Sequence, residues 1–183
     1  TLGKDQVRDL VPMSDAIAAM RSAFIQLSGG NAFAPMRLSL DIPDKNAASL
    51  VMSAYTTGSP YYTVKIVSVN YLNPQKGLPL IHAIVQVFDA SNGSLVAPMD
   101  GESITAIRTG AASGLATDLL ANKDAKICAI FGTGVQAASH AEAIMEVRHI
   151  EKIIVFSRNN KSAELFCDFL SDKIRCEIGD KGS

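Results

Sequence analysis

The stretch AIFGTGVQAASHAEAIM, residues 129–145, decides the fold. It contains the pattern G-x-G-x-x-A as Gly132, Gly134 and Ala137, with an apolar strand before it and a helical pattern after it. Gly132 suits a tight strand-to-helix turn, Gly134 lets a pyrophosphate approach the backbone, and Ala137 permits close packing of helix on strand. A glycine turn without a ligand is the alternative, but the strand–turn–helix context favours a dinucleotide site at a helix N-terminus.

The residues after this stretch predict half of a doubly wound parallel sheet. The predicted order is β (126–131), α (135–147), β (152–157), α (161–171) and β (174–178). The second strand ends in Ser157-Arg158-Asn159, where an acid would favour NAD and an arginine favours the 2′-phosphate of NADP. We therefore expect NADP or NAD as cofactor, with NADP favoured, unless Arg158 is only a solvated loop residue. The predicted cofactor-binding residues are Thr109, Gly132, Thr133, Gly134, Val135, Gln136, Ser157, Arg158 and Asn159.

The residues before this stretch predict a different architecture. Residues 10–30 read as one helix, capped by Ser14 or Asp15 and stopped by Gly29-Gly30. Four β-rich runs follow between residues 37 and 89, and ASNGS (90–94) is a strong hairpin signal. From Glu102 an alanine-rich pattern returns to helix. The predicted fold class is α/β, an α+β domain of residues 1–120 followed by the first half of a Rossmann domain at 121–183.

Composition narrows the classes of protein. The net charge of −1 gives no electrostatic case for nucleic acid or an anionic membrane. No apolar run approaches the ~20 residues of a membrane span, and from the opening residues we expect no signal peptide. We expect Cys128, Cys167 and Cys176 to be reduced thiols of a cytoplasmic protein. The three histidines form no ligand cluster with them, so we predict no metal site.

The run MDGESITAIRTGAASGLATDLLA, residues 99–121, followed by GTGVQA, resembles the ornithine cyclodeaminase/mu-crystallin family. The pattern T-A-x-R-T-x-A is its most specific part, and APMRLSL, LVMSAY, VKIVSVN and VFDASNGSLVAPMDG are also similar to the family. The resemblance implies a substrate-binding and dimerisation domain before the Rossmann domain, a homodimer, and action on small amino or imino acids with a nicotinamide cofactor. It covers essentially the whole chain.

Three cations are the candidate substrate residues. Lys65 shares a strand face with Val67 and Val69, where a buried charge needs a partner such as a substrate carboxylate; an exposed edge strand is the alternative. Arg108 stands in a helix of small residues and leucine, which is unusual unless its fork meets a carboxylate. Arg37 alone would count as a surface residue. The resemblance implies that these cations clamp the substrate carboxylate, with Lys65 near the reacting nitrogen and Lys65 and Arg108 catalytic.

Three functions remain open at this point. The first is an oxidoreductase that reduces the C=N bond of a ketimine or cyclic imine, or acts as an amino acid dehydrogenase. The second is ornithine cyclodeaminase, a lyase that recycles NAD, although ASLVMSAY (48–55) lacks the glutamate of that enzyme. The third is a crystallin-like binding protein without turnover. His82 and His140 are expected to be structural.

The length poses a last question, because only residues 133–183 follow Gly132. A central first strand needs a fourth strand along its other side, and the catalytic aspartate implied by the resemblance would also come later. We therefore expect the chain to be the amino-terminal part of a protein of roughly 300 or more residues, inactive alone.

Overall fold

A computed structural model describes residues 1–179, which form parts of two compact units. The first unit consists of Thr1–Val11 and Ser22–Thr105. The second consists of Pro12–Arg21 together with Ala106 and the residues after it. The predicted domain limits, 1–120 and 121–183, refer to function and stay a prediction.

The first unit is built on a six-stranded sheet with antiparallel ladders. Its path runs β1-β3-β4-β5-β6, and β2 also pairs with β3. The predicted hairpin at residues 90–94 is confirmed, because it joins β5 to β6 with Gly93 at a positive φ of 77°. The strands are β1 (Ala32–Phe33), β2 (Leu38–Ile42), β3 (Ala47–Thr56), β4 (Tyr61–Asn70), β5 (Ile81–Asp89) and β6 (Leu95–Asp100).

Three elements of this region were not predicted. Helix α1 (Lys4–Leu10) precedes the first predicted helix and buries Val7. Strand β1 has two residues, and β6 contains Pro98, which lacks the N–H that a ladder uses. Short length and proline both weaken the sequence pattern of a strand. These two strands are therefore recognised only from their pairing with β3 and β5 in the structure.

Helix α2 (Met13–Ser28) differs from its prediction at one end. It begins before the predicted caps Ser14 and Asp15, since the carbonyl of Pro12 already accepts from Ala16. Those cap assignments are therefore wrong. The predicted stop is confirmed, because Gly30 follows the helix with φ at 75°.

The second unit contains a three-stranded parallel sheet in the order β7-β8-β9. Two helices bury one face of it, with Ile153, Val155 and Leu170 at the centre of the apolar cluster. The predicted fold class, including the first half of a doubly wound sheet, is confirmed. The elements are α3 (Gly101–Leu120), which begins in the first unit, β7 (Ile127–Phe131), α4 (Val135–Val147), β8 (Lys152–Phe156), α5 (Asn160–Leu170) and β9 (Arg175–Ile178).

The cysteines depart from the prediction of three reduced thiols. Cys167 of α5 and Cys176 of β9 form a disulfide, with their Cα atoms 5.1 Å apart. The helix and the following strand are neighbours in space, and this brings together two residues that are nine apart in sequence. Cys128 is a free thiol, and burial raises its pKa. Along residues 1–179 we find no helix with the length and apolarity to cross a bilayer.

Candidate functional site

A cleft of about 1030 Å³ opens at the carboxyl ends of β7 and β8. Parallel sheets bind ligands at this edge, because the loops that follow the strands meet there. The cleft brings together six of the predicted cofactor residues from two separate loops. They are Gly132, Thr133, Gly134, Ser157, Arg158 and Asn159.

The glycine loop has a backbone that suits a bound phosphate. Gly132 has φ at 99°, a left-handed conformation that favours glycine, and its N–H donates to the carbonyl of Phe156 at 2.7 Å. Gly134 is extended and caps α4, and a Cβ added there would meet no atom within 4 Å. The backbone at Gly134 is therefore open to a ligand at the positive end of the α4 dipole.

Two aromatic rings line the same cleft and were missed from the sequence. Phe131 and Phe156 end β7 and β8 as a registered pair, and their rings stack with centroids 4.8 Å apart. Phe131 is 79 % exposed, which is unusual for a large apolar side chain at the end of an apolar strand of a parallel sheet. Only the register of the two strands, which the sequence does not state, pairs the rings.

The turn after β8 holds the residues predicted to choose the nucleotide. The side chain of Asn159 accepts from the N–H of Ser162 at 3.3 Å and caps α5. The N–H of Asn159 donates to Ser157 Oγ at 3.3 Å, which stabilises the turn. Arg158 is exposed between them. Asn159 thus stabilises the turn and the start of α5, whereas Arg158 lies at the surface of the cleft.

The remaining predicted cofactor residues lie on helices. Val135 and Gln136 line a second groove of about 380 Å³ between α4 and β7, together with His140. Within the described residues the buried Oε1 of Gln136 lacks a hydrogen-bond partner. Thr109 lies part-buried on α3. The cofactor contacts predicted for Val135, Gln136 and Thr109 stay predictions. The structural role expected for His140 also stays a prediction.

Lys65 lies in the middle of the antiparallel sheet. Strand β4 is flanked by β3 and β5, so the alternative of an exposed edge strand is wrong. The side chain is part-buried, and Nζ donates to Thr105 Oγ1 at 2.5 Å. The Thr105 hydroxyl in turn donates to the carbonyl of Gly101, which orients its oxygen lone pairs for Lys65. Thr105 was not predicted as a site residue, because it is 40 positions from its partner.

The strand register relates Met52 to Lys65. Met52 of β3 pairs directly with Lys65 of β4, and directly paired residues share a face of a sheet. Arg37 is exposed and lies between β1 and β2, outside the residues that pair with β3. The two ladders on β3 differ in register by one residue across this segment, and the substrate-binding role of Arg37 stays a prediction.

The other two candidates occupy different surroundings. Arg108 is exposed on the part of α3 that belongs to the second unit. His82 is 57 % exposed in its side chain, with Nδ1 4.0 Å from Glu102 Oε1. Strand alternation puts His82 on the face opposite Val85, the registered partner of Lys65. The structural role expected for His82 stays a prediction.

A buried arginine closes the end of α3. Arg148 is 7 % exposed and donates to the carbonyls of Thr117 and Asp118 in the last turn of α3 and to that of Ala121, which follows the helix. Its NH1 also meets the Asp118 carboxylate at 3.3 Å. This hydrogen bond is the main reason that the pKa of Asp118 lies below its usual value, with Lys123 adding to it. Four carbonyls end every helix without intrahelical partners, and a cation is well suited to them.

The chain matches the model of the ornithine cyclodeaminase/mu-crystallin family over residues 2–180. It is 37 % identical over 172 residues to a Delta(1)-pyrroline-2-carboxylate reductase of Bacillus cereus, covering 94 % of this chain and 53 % of the relative. It is 31 % identical over 172 residues to the mouse ketimine reductase mu-crystallin, covering 94 % and 55 %. The chain thus spans about half the length of these relatives.

Solved structures agree. The Thermococcus litoralis Delta(1)-pyrroline-2-carboxylate reductase in complex with NADH and L-proline matches with a TM-score of 0.91 and 38 % identity, covering 99 % of this chain and 57 % of that one. An archaeal alanine dehydrogenase dimer with bound NAD matches with a TM-score of 0.90 and 29 % identity, covering 98 % and 55 %. Within residues 1–179 no group of three His, Cys, Asp or Glu side chains is placed to hold a metal ion.

Proposed function

The chain belongs to the ornithine cyclodeaminase/mu-crystallin family, and from this premise we propose that the protein is a nicotinamide-dependent imine reductase. The substrate is a small imino acid, either a cyclic imine carboxylate or a ketimine formed from an α-keto acid and an amine. The observation that carries the proposal is the cleft at the carboxyl ends of β7 and β8, where a glycine turn and an open helix N-terminus face one space.

The residues of this chain would divide the work. Arg37 and Arg108 hold the substrate carboxylate through charge-assisted hydrogen bonds. Lys65, fixed by Thr105, polarises the C=N bond or protonates at the reacting centre as hydride reaches the carbon. The nicotinamide cofactor supplies the hydride, and the cleft with Gly132 and Gly134 orients it. Hydride adds to the carbon and a proton adds to the nitrogen, which converts the imine into an amine.

The choice of cofactor is a separate part of the proposal. NADPH is favoured over NADH, because the turn after β8 offers Arg158 and no acid. The two solved relatives hold NADH and NAD, which supports a nicotinamide cofactor and leaves the 2′-phosphate question to measurement.

We also propose that the protein is a homodimer. Leu38 and Leu40 of β2 are 72 % and 65 % exposed on the sheet face opposite Lys65. Exposed aliphatic side chains in a row mark an interaction surface, and a second copy of the chain would cover it. Sedimentation of the wild type should give a dimer, and Leu40→Lys should shift it toward monomer. A wild-type monomer at micromolar concentration would contradict this part.

A cytoplasmic location completes the proposal and is tested by thiol titration. Reducing compartments keep most thiols free, so protein alkylated directly in cells should carry label on Cys167 and Cys176. Label confined to Cys128 would place the protein in an oxidising compartment, in agreement with the disulfide of the structure.

One assay separates the candidate reactions. The whole protein is given NADPH or NADH with a panel of α-keto acids plus amines, cyclic imine carboxylates and ornithine. A reductase consumes one cofactor per product and lowers the absorbance at 340 nm. A cyclodeaminase converts ornithine without net change at 340 nm, and a binding protein shows cofactor binding without turnover. Either of the last two results would overturn the proposal.

A further inference from the structure

The face of the sheet that carries Lys65 is closed on one side and open on the other. On the closed side, a Cβ at Gly101 would lie 2.7 Å from the backbone of Ala83, so the start of α3 rests directly on β5. Val85, the registered partner of Lys65, is 8 % exposed. On the β3 side, Ala54 is exposed and Met52 is part-buried. A ligand that reaches Lys65 therefore has room over β3.

Met52 occupies the centre of this open side. It pairs directly with Lys65. Neighbouring strands lie about 4.8 Å apart, so Met52 stands next to Lys65 on the same face of the sheet. Because the Val85 side of Lys65 is closed, a ligand with its nitrogen near Lys65 must extend its carbon skeleton over Met52.

We propose that Met52 determines substrate size, by limiting the carbon skeleton that fits beside Lys65 on the open side of this sheet face. This inference rests on the proposed imine reductase function and deepens it. Met52 is unbranched and apolar, so it offers the skeleton contact area but no hydrogen bond. Apolar contacts of this kind discriminate by volume, and one methylene is worth about 10- to 200-fold in specificity.

The test compares ring sizes. In the whole protein, Met52→Ala should raise kcat/KM for a six-membered cyclic imine carboxylate relative to the five-membered one by about tenfold or more. Met52→Leu conserves volume and should keep the wild-type ratio, whereas Met52→Phe should shift it toward the smaller ring. Met99→Ala is the matched control, because Met99 stands in the same row beyond Val85, on the closed side. It should leave the ratio within twofold.

Two results would overturn the inference. One is an unchanged ratio in both Met52→Ala and Met52→Phe while each variant turns over both rings. The other is an equal shift in Met99→Ala, which would indicate general loosening of the sheet. If the wild type reduces no imine, the proposed function fails by itself. The inference is then judged by the dissociation constants of five- and six-membered cyclic amino acids, whose ratio Met52→Ala must still change.

Discussion

The two sheets of the molecule place their candidate site residues in different parts of their strands. In the antiparallel sheet Lys65 lies mid-strand on one face, where neighbouring strands set its row and Thr105 fixes its end. In the parallel sheet the candidate residues lie beyond the strands, in the loops at the carboxyl ends of β7 and β8. A flat face presents rigid side chains to a small substrate, whereas loop backbones and a helix N-terminus suit an extended phosphate.

The sheets also differ in how complete they are. Strand β4, which carries Lys65, is paired on both sides. Strand β7, which leads into the glycine loop, is paired only with β8 within the described residues, and Ile127 and Phe131 remain exposed on it. An apolar edge of this kind invites pairing with a further strand. Within the described residues, the strand that carries Lys65 is thus enclosed by partners, whereas the strand that leads into the glycine loop has an unpaired edge beside the cleft.

The largest expected effect breaks the chemistry of the antiparallel sheet alone. Lys65→Met in the whole protein should lower kcat by about 100-fold or more, because it removes the group that polarises or protonates the substrate. The dissociation constant of the cofactor should stay near the wild-type value, since the cleft lies in the other sheet. Arg108→Leu should also lower kcat strongly, and it should leave cofactor affinity near the wild-type value because Arg108 lies on α3, outside the residues that line the cleft. Steady-state kinetics and cofactor titration check both variants, and retention of more than a few per cent of activity by either would exclude its assigned role.

The next effect concerns the buried end of α3. Arg148→Met should lower the free energy of unfolding by about 3 kcal/mol, because it leaves helix carbonyls and the Asp118 carboxylate without their buried donor. Arg21 pairs with the same carboxylate at 2.9 Å but is 44 % exposed in its side chain. Arg21→Met is therefore the matched control and should cost less than about 1 kcal/mol. Urea denaturation measures both, and similar losses would show that burial of Arg148 carries no special stability.

A smaller effect sharpens the description of the parallel sheet. Arg158→Ala should weaken NADPH binding by about tenfold and change NADH binding little, since one charge-assisted contact to the 2′-phosphate is lost. Fluorescence titration with both cofactors gives the ratio. If wild type and variant each bind NADPH and NADH with equal affinity, Arg158 does not determine the cofactor preference.

The smallest effect is a pH dependence in the same unit. The guanidinium of Arg148 lowers the pKa of Asp118 in the folded protein. Between the folded and the unfolded pKa of this carboxyl group, the unfolded chain therefore binds more protons than the folded one. The stabilisation by the carboxylate is complete above the unfolded pKa near 4 and disappears as the pH falls through the folded pKa. Asp118→Asn should thus be less stable than wild type at neutral pH, and the gap should close below about pH 4. A gap that stays constant with pH would contradict this assignment.

Local sequence rules predicted much of the second unit. The glycine turn, helix α4 and the strands around it follow from short patterns, and so do Gly132, Ser157 and Arg158 as residues of one cleft. The contacts that fix the rest join distant residues. Thr105 holds Lys65 across 40 positions, and Arg148 reaches the end of α3 across about 30. No local sequence pattern predicts such a pair, because the two residues come together only through strand pairing and helix packing in the folded protein.

The antiparallel sheet shows the same limit in another form. Its main strands were predicted from alternation and turns, but the position of Met52 beside Lys65 depends on the pairing of β3 with β4. A shift of that ladder by one residue would put the Met52 side chain on the opposite face. The sequence therefore identified Lys65 as a candidate, and the register identified its neighbour.

The glycine loop contains two residues with opposite sensitivities. Gly132 has a backbone that L-residues rarely adopt, whereas Gly134 has an ordinary extended backbone and open space around it. In a mutant library screened only for expression, side chains should therefore be depleted at 132 and tolerated at 134. A second screen for growth that depends on the enzyme should deplete them at both. The difference between the two screens at position 134 would record the presence of the phosphate, without any bound ligand being seen.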